Sequence, residues 1–314
     1  VSAGEQTSPP PAAARCWLCG SAATGMFRRS TLRRRPDAAA VRITDAGYGR
    51  TAALRRCRSC GFVFADELPA ADLAALYRQM RDPGYQAGQH ARRVQMRRLL
   101  DAAQASRPGA ASLLDVGAGT GLLVAEALAR GLAAEGVEPS RWCVEAARRD
   151  NGVLLRCGTL RELAAELAGP YDIVMLVDVV EHTADPLGML RAAAALTAGD
   201  GRLVVVTPDI GSPPARLAGR FWWHHRAGHV CYFTRRSMRH ALRACGMEAV
   251  ADRPAGWRFE AAYLAQRLAA LVGIGPETPL GRRLGRWSVL AGRQVDLNLH
   301  DSRMFIAART RRPC

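Results

Sequence analysis

The sequence predicts an α/β protein: a largely parallel sheet with helices on both faces, preceded by a small module built on cysteine knuckles. Three observations lead there. From about residue 111 onward, short apolar runs of strand composition alternate with helical stretches. The first of these runs, Leu113-Leu-Asp-Val, leads into Gly117-Ala-Gly-Thr-Gly121 and then a helical stretch over 122–130. Near the start, Cys16-Trp-Leu-Cys19-Gly20 is echoed by Cys57-Arg-Ser-Cys60-Gly61.

The 314 residues suffice for one large domain or two smaller ones, and 49% apolar content allows a sizeable core. The longest candidate for a membrane span, 268–274, is far too short. Residues 1–14 are Ala, Pro and small polar groups without an apolar centre, which reads as a disordered leader rather than a secretory signal and favours the cytoplasm. Forty-four basic residues against twenty-eight acidic ones give a formal charge of +16. Every basic residue is Arg, and Asn occurs only at 151 and 298, a pattern of GC-rich coding. The arginines are scattered, with short clusters at 33–35, 92–93, 97–98 and 282–283. They form no interleaved platform with aromatic residues, which argues against nucleic acid as partner. An anionic small molecule would use the same excess charge. No sequence signal sets an oligomeric state.

Residues 15–65 read as a ribbon domain. Two C-x-x-C-G turns supply four thiolates, Cys16, Cys19, Cys57 and Cys60, the tetrahedral sulfur set that zinc takes in structural sites. Two disulfides or redox pairs are the alternative, disfavoured because nothing implies an oxidising compartment. Cys143, Cys157, Cys231, Cys245 and Cys314 lack ligand spacing. Residues 61–64 read as the closing ribbon strand. A helical linker over 66–110 follows, with a short helix at 69–80 whose Leu73, Leu76 and Tyr77 share a face. A second helix, 86–105, turns Val94, Leu99 and Leu100 inward and Arg92, Arg93, Arg97 and Arg98 toward solvent.

The main domain spans 111–314. Its expected strands are 113–116, 132–137, 153–156, 171–180, 202–207, 248–251 and 302–308, with a helix at 235–245 and an Arg-rich helical insert over 255–300. The glycines allow a sharp turn and close ligand approach. Their G-x-G-x-G spacing, with Asp115 two residues upstream, differs from the G-x-G-x-x-G that receives a pyrophosphate. Glu138 follows the second strand, 17 positions after Gly121, close to the offset at which an acid meets ribose hydroxyls in such folds.

These segments, together with Tyr171-Asp-Ile-Val-Met-Leu-Val-Asp-Val-Val-Glu-His182 and His229-Val-Cys-Tyr-Phe-Thr234, resemble the bacterial class I S-adenosylmethionine (SAM) methyltransferases that carry an N-terminal four-cysteine zinc ribbon. They are similar to ubiquinone-type O-methyltransferases and to sugar C-methyltransferases. The resemblance implies a Rossmann-like sheet of seven strands with the last antiparallel. It implies that Asp115, Gly117, Gly119 and Gly121 hold the methionyl part of SAM and that Glu138 holds the ribose. Thr159 and Leu160 would lie at the adenine, and Asp178 would face both cofactor and substrate.

Methyl transfer to a hydroxyl needs alignment and a base. His182, at the end of the fourth strand, and His229, in the loop after the fifth, are the candidate catalytic residues. The sugar C-methyltransferases place a His-Glu-His segment at the latter position, whereas this chain has Ala227-Gly228-His229. O-methylation of a sugar, glycan or specialised-metabolite hydroxyl is therefore favoured. C- or N-methylation of a nucleotide-linked sugar and RNA methylation remain alternatives.

Overall fold

The computed structural model describes residues 14–44, 47–68, 73–87, 89–261, 265, 278–279 and 293–310. Residues 1–13 of the expected leader, residues 69–72 of the first expected helix, Cys314 and most of the 255–300 insert lie outside the described residues.

The ribbon comprises β1 (Thr24–Arg28), β2 (Leu54–Cys57) and β3 (Val63–Ala65). Its knuckles are built alike. Gly20 N–H donates to the Cys16 carbonyl and Gly61 N–H to the Cys57 carbonyl, both at 3.0 Å. Gly20 and Gly61 have φ of +69° and +82°, left-handed values that a side chain resists. Helices α1 (Leu73–Gln79), α2 (Gly84–Ala87) and α3 (Gln89–Ser106) connect the ribbon to the sheet.

The main sheet then builds through β4 (Ser112–Val116), α4 (Leu122–Ala129), β5 (Ala133–Glu138), α5 (Arg141–Asn151), β6 (Arg156–Cys157), α6 (Leu160–Leu163) and β7 (Tyr171–Val177). After β7 come α7 (Pro186–Leu196), β8 (Thr197–Pro208), α8 (Pro213–Ala218), β9 (Cys231–Tyr232), α9 (Arg235–Ala244) and β10 (Met247–Pro254). A small antiparallel pair, β11 (Trp257–Glu260) and β12 (Gln294–Leu297), precedes the final strand β13 (Ser302–Arg309).

The seven-stranded sheet has the order β10-β13-β8-β7-β4-β5-β6. β4, β5, β6, β7 and β8 pair in parallel, while β13 runs antiparallel to both β8 and β10. The seven strands and the antiparallel last strand match the sequence expectation. Alternation along the strands sorts their side chains onto two faces. Leu114, Val116, Val174, Leu176, Leu203 and Val205 join one core cluster. Leu113, Ile173, Met175, Val204 and Val206 join the other, beneath α3.

Several boundaries differ from expectation for physical reasons. The strand expected at 153–156 is only Arg156–Cys157, because Val153 and Leu155 fill space over glycines. A Cβ on Gly136 would come within 2.7 Å of Leu155 Cδ2, and one on Gly121 would collide with Val153. The strand expected to reach Val180 ends at Val177, since Asp178 adopts a φ of 53° and turns the chain. β8 is longer than expected, starting at Thr197, which pairs with Tyr171. Two helix arginines expected in solvent are tied down. Arg93 Nη1 and Arg97 Nε reach Glu126 of α4 at 2.8 and 2.6 Å and pin α3 to α4.

The ribbon is not an appendage. β9, from the loop after β8, becomes its fourth strand by pairing Val63 with Tyr232 and Phe64 with Cys231. Cys16, Leu18, Phe62 and Phe64 share one apolar cluster with the main sheet's Leu114, Val174 and Phe305. Phe62 and Phe233 meet with ring centroids 4.9 Å apart, tilted by 58°. A double-mutant cycle with Phe62→Leu and Phe233→Leu, read by denaturant unfolding, should give a coupling of about 0.5–1.5 kcal/mol. Strictly additive losses would mean that ribbon and sheet unfold as separate units.

Candidate functional site

A cavity of about 530 Å³ opens at the carboxyl ends of the parallel strands, where ligands bind in sheets of this kind. Its floor is the turn between β4 and α4. Gly117, Gly119 and Gly121 have φ of +73°, +54° and +74°, left-handed values that glycine adopts most readily. The N–H groups of Gly117 and Ala118 both donate to the Val137 carbonyl, at 2.9 and 3.0 Å, and hook the turn onto β5. A Cβ on Gly117 would come within 2.6 Å of Val179.

Among the described residues five carboxyl groups line this cavity: Asp185, the N-cap of α7, and Asp115, Glu138, Asp178 and Glu181. Asp115 is buried, and no hydrogen bond reaches its side chain among the described residues. Burial, followed by the neighbouring Glu138 charge, raises its pKa to about 8. Glu138 accepts from Gly119 N–H at 2.8 Å and Ser140 N–H at 2.9 Å, yet burial still raises it to about 7. Two of its four lone-pair positions therefore remain for a ligand. Asp178 Oδ1 is buried without a hydrogen-bond partner, and burial raises its pKa to about 7 against the opposing pull of Arg226. Glu181 is fully buried and pushed well up by burial and then by Asp178. Its Oε2 accepts from Thr207 Oγ1 at 3.0 Å, and its Oε1 has no partner.

The histidines gather on the opposite wall. His182 Nδ1 lies 2.5 Å from the Tyr77 hydroxyl and 2.9 Å from the Gly228 carbonyl, and burial lowers its pKa to about 4. The His182 and His229 rings meet edge-on, with centroids 4.6 Å apart. His229 is buried, its Nδ1 has no hydrogen-bond partner, and burial drives its pKa well below the usual value. Gly228 explains why no glutamate stands there. A Cβ would come within 2.9 Å of the Tyr77 hydroxyl and 3.5 Å of His182 Nδ1. The position is closed to a larger residue, and its carbonyl orients His182 instead.

The structure brings Asp115, Gly117, Gly119, Glu138, Thr159, Leu160, Asp178, His182 and His229 around one cavity. Gly121 stands behind it, packed against Val153 and Ala147 at the start of α4. Thr159 is engaged in a capping box. Its hydroxyl donates to Glu162 Oε2 at 2.9 Å and accepts from Glu162 N–H, so it offers the cavity a wall more than a hydrogen bond.

Several residues escaped sequence reasoning. Tyr77 could be placed on an inward helix face, but not against His182. Asp301, far along the chain, accepts from Trp222 Nε1 at 2.9 Å and lies 3.4 Å from His224 Nε2. Burial alone would push Asp301 up, but the His224 and Trp222 contacts hold it below the usual range. His224 thus has the acidic neighbour that local spacing did not show. Trp222, fully buried, is a packing residue with a polar anchor.

Among the described residues, two side-chain clusters have metal-ligand chemistry. The four knuckle sulfurs lie within 4.8 Å of one another. Cys16–Cys60 and Cys19–Cys57 are each 3.6 Å apart, too long for disulfides. A tetrahedral zinc with bonds of about 2.3 Å would separate its sulfurs by about 3.8 Å, so the cluster fits that ion. One oxygen of Glu181 and one nitrogen each of His182 and His229 also lie within 4.8 Å of one another.

Residues 89–252 match the family described as "Methyltransferase domain". The chain is 41% identical over 101 residues to a ubiquinone biosynthesis O-methyltransferase of Caulobacter sp. (strain K31), covering 30% of this chain and 40% of that one. It is 36% identical over 117 residues to the corresponding protein of Xanthomonas axonopodis pv. citri (strain 306), covering 35% and 48%. The matches thus span half or less of these relatives' length. Among solved structures, the Burkholderia thailandensis 1,6-didemethyltoxoflavin-N1-methyltransferase matches 80% of this chain and 96% of its own at 19% identity, with a TM-score of 0.46. No helix among the described residues is long and apolar enough to cross a membrane.

The raised pKa of Asp115 sets a pH dependence for the ligand-free protein. Unfolded, the group ionises near 3.8; folded, it holds its proton to about 8. Between these values the native state binds the extra proton, so stability falls as pH rises through the window. Asp115→Asn should therefore melt higher than wild type at pH 8, with the difference closing toward pH 4. An Asn variant that is less stable at pH 8 would show that the carboxylate is needed for folding.

Proposed function

The chain belongs to the methyltransferase domain family, and on that premise we propose that it transfers a methyl group from SAM to a hydroxyl oxygen of a sugar, glycan or specialised metabolite. The observation that carries this reading is the glycine turn flanked by Asp115 and Glu138, two buried carboxylates facing a cavity at the strand ends. Bound there, SAM supplies an electrophilic methyl group on a sulfonium cation.

Asp115 and the glycine turn would hold the methionyl part, the carboxylate compensating the ligand's positive charge in a poorly solvated place. Glu138 has lone pairs left for two ribose hydroxyls. Leu160 and the capped Thr159 would form the adenine wall. Asp178, with its unpartnered Oδ1, stands between this half of the cavity and the histidine wall. On that wall His182 is fixed through Nδ1 by Tyr77 and Gly228, which leaves Nε2 to meet an acceptor hydroxyl. His229 abuts it and can take up the proton at its unpartnered Nδ1. Because burial lowers both histidines, they are neutral at pH 7, the state a base requires. The closed position at Gly228 supports O-methylation over chemistry that needs a carboxylate there.

Incubation with labelled SAM and a panel of hydroxylated acceptors tests the reading. His182→Ala and His229→Ala should each lower kcat by about 10²–10⁴ while SAH (S-adenosylhomocysteine) binding persists. Since the neutral imidazole is the working form above its folded pKa of about 4, the acid limb of kcat should lie below the 6.5 of an ordinary histidine. Full activity in both variants would remove the assigned bases.

The ribbon cluster is read as a structural zinc site, with all four positions taken by sulfur. Purified protein should then carry about one zinc per chain. Cys57→Ser should lose it, lower Tm, and speed hydrogen exchange at the Phe64 and Cys231 amides of the β3–β9 ladder. A variant without zinc that keeps those amides protected would uncouple the metal from the site.

A further inference from the structure

Beside this cavity lies a larger one of about 1010 Å³, walled by a ribbon loop that the proposed reaction does not use. Arg33, Arg34, Arg35, Arg42 and Arg50 line it and are all exposed. None of the five makes an ion pair among the described residues. Asp37, the acidic residue on the same wall, spends one oxygen on the N–H groups of Ala39 and Ala40, both at 3.1 Å.

The loop is clamped rather than loose. Thr31 N–H donates to the Thr51 carbonyl at 2.9 Å, and its hydroxyl to the Gly49 carbonyl at 2.7 Å. Thr44 donates through N–H and hydroxyl to the buried Asp82, at 2.8 and 2.5 Å. The loop is also bonded directly to the histidine segment. Gly49 N–H donates to the His225 carbonyl at 2.7 Å, and Arg226 Nη2 to the Arg42 carbonyl at 3.0 Å. The two cavities share Ala40 and Arg42, and Ala227 of the second sits between Arg226 and Gly228 of the first.

Like charges gathered in one mouth repel within the screening distance of about 8 Å, and a multivalent anion relieves that repulsion. Guanidinium groups match phosphate oxygens in paired hydrogen bonds. The cofactor cavity sets its carboxyl groups beside Arg42, Arg92 and Arg226, whereas the second cavity carries five arginines against the one acid Asp37. We infer that the arginine-lined cavity is a subsite for the phosphate or diphosphate group of the methyl acceptor, so that the hydroxyl to be methylated belongs to a phosphate ester. This rests on the methyltransferase reading for the neighbouring cavity.

Calorimetric titration of the full chain with inorganic phosphate, inorganic pyrophosphate and uridine diphosphate tests it, at an ionic strength of about 0.15 M. Wild type should bind at least one of them saturably. Arg34→Gln/Arg35→Gln/Arg50→Gln, three residues that line this cavity and not the cofactor cavity, should weaken that binding about tenfold or more. The same variant should keep wild-type SAH affinity, which also shows that it is folded. Arg148→Gln/Arg149→Gln, on the far helix α5, should leave anion binding unchanged. Pyrophosphate binding tighter than phosphate assigns a diphosphate ester; equal binding assigns a monophosphate. Absence of saturable anion binding with SAH affinity intact overturns the subsite and leaves the methyltransferase reading standing. An equal loss in the α5 control, or displacement of pyrophosphate by single-stranded RNA with a steep salt dependence, overturns it as well. Failure of SAH to bind wild type counts against the cofactor reading, whatever the anions do.

Discussion

The short ladder between β3 and β9 is the contact on which the site depends. Two residue pairs, Val63–Tyr232 and Phe64–Cys231, join the ribbon to the segment that carries His229. Ala65 N–H adds a bond to the Val230 carbonyl, and Val230 N–H one to the Glu181 carbonyl. The chain from β3 through Val230 to Glu181 is thus continuous backbone hydrogen bonding. Loops over a strand end are ordinarily mobile. Here the histidine loop is held at register by a sheet edge, β3, which follows directly on the Cys57–Cys60 knuckle.

A second constraint is electrostatic. The chain has an excess of sixteen positive charges, yet its cavity buries Asp115, Glu138, Asp178 and Glu181. Each carboxyl is raised by burial, which favours their protonated forms. A cationic ligand reverses that preference by supplying the missing opposite charge. Stability held back in the free protein becomes affinity in the bound one, a trade common at functional sites.

Local pattern carried the fold a long way. The glycine turn, the alternation of strand and helix and the paired knuckles are all local signals, and each corresponds to an element of the structure. The strand ends were less legible, because Val153, Leu155 and Asp178 answer to neighbours distant in sequence. Val153 and Leu155 have strand composition but pack over Gly121 and Gly136. The cavity lining was legible where it lies on strand ends, as with Asp115, Glu138 and Asp178. It was illegible where it depends on contact between distant segments. Nothing in the residues near Asp301 announces His224, and nothing near Tyr77 announces His182. The role of the ribbon was hidden for the same reason, since a strand of two residues leaves no periodicity to read.

That two-residue strand has a consequence for the order in which the molecule is made. β3 is synthesised early, and its partner emerges only after β8 is complete. Until then the ribbon presents an unpaired edge with Phe62 and Phe64 beside it, a template for pairing with another nascent chain. Its closure is a contact between distant parts of the sequence, the slow kind in folding. During synthesis the chain therefore exposes, until Tyr232 has emerged, the edge with which the segment after His229 later pairs.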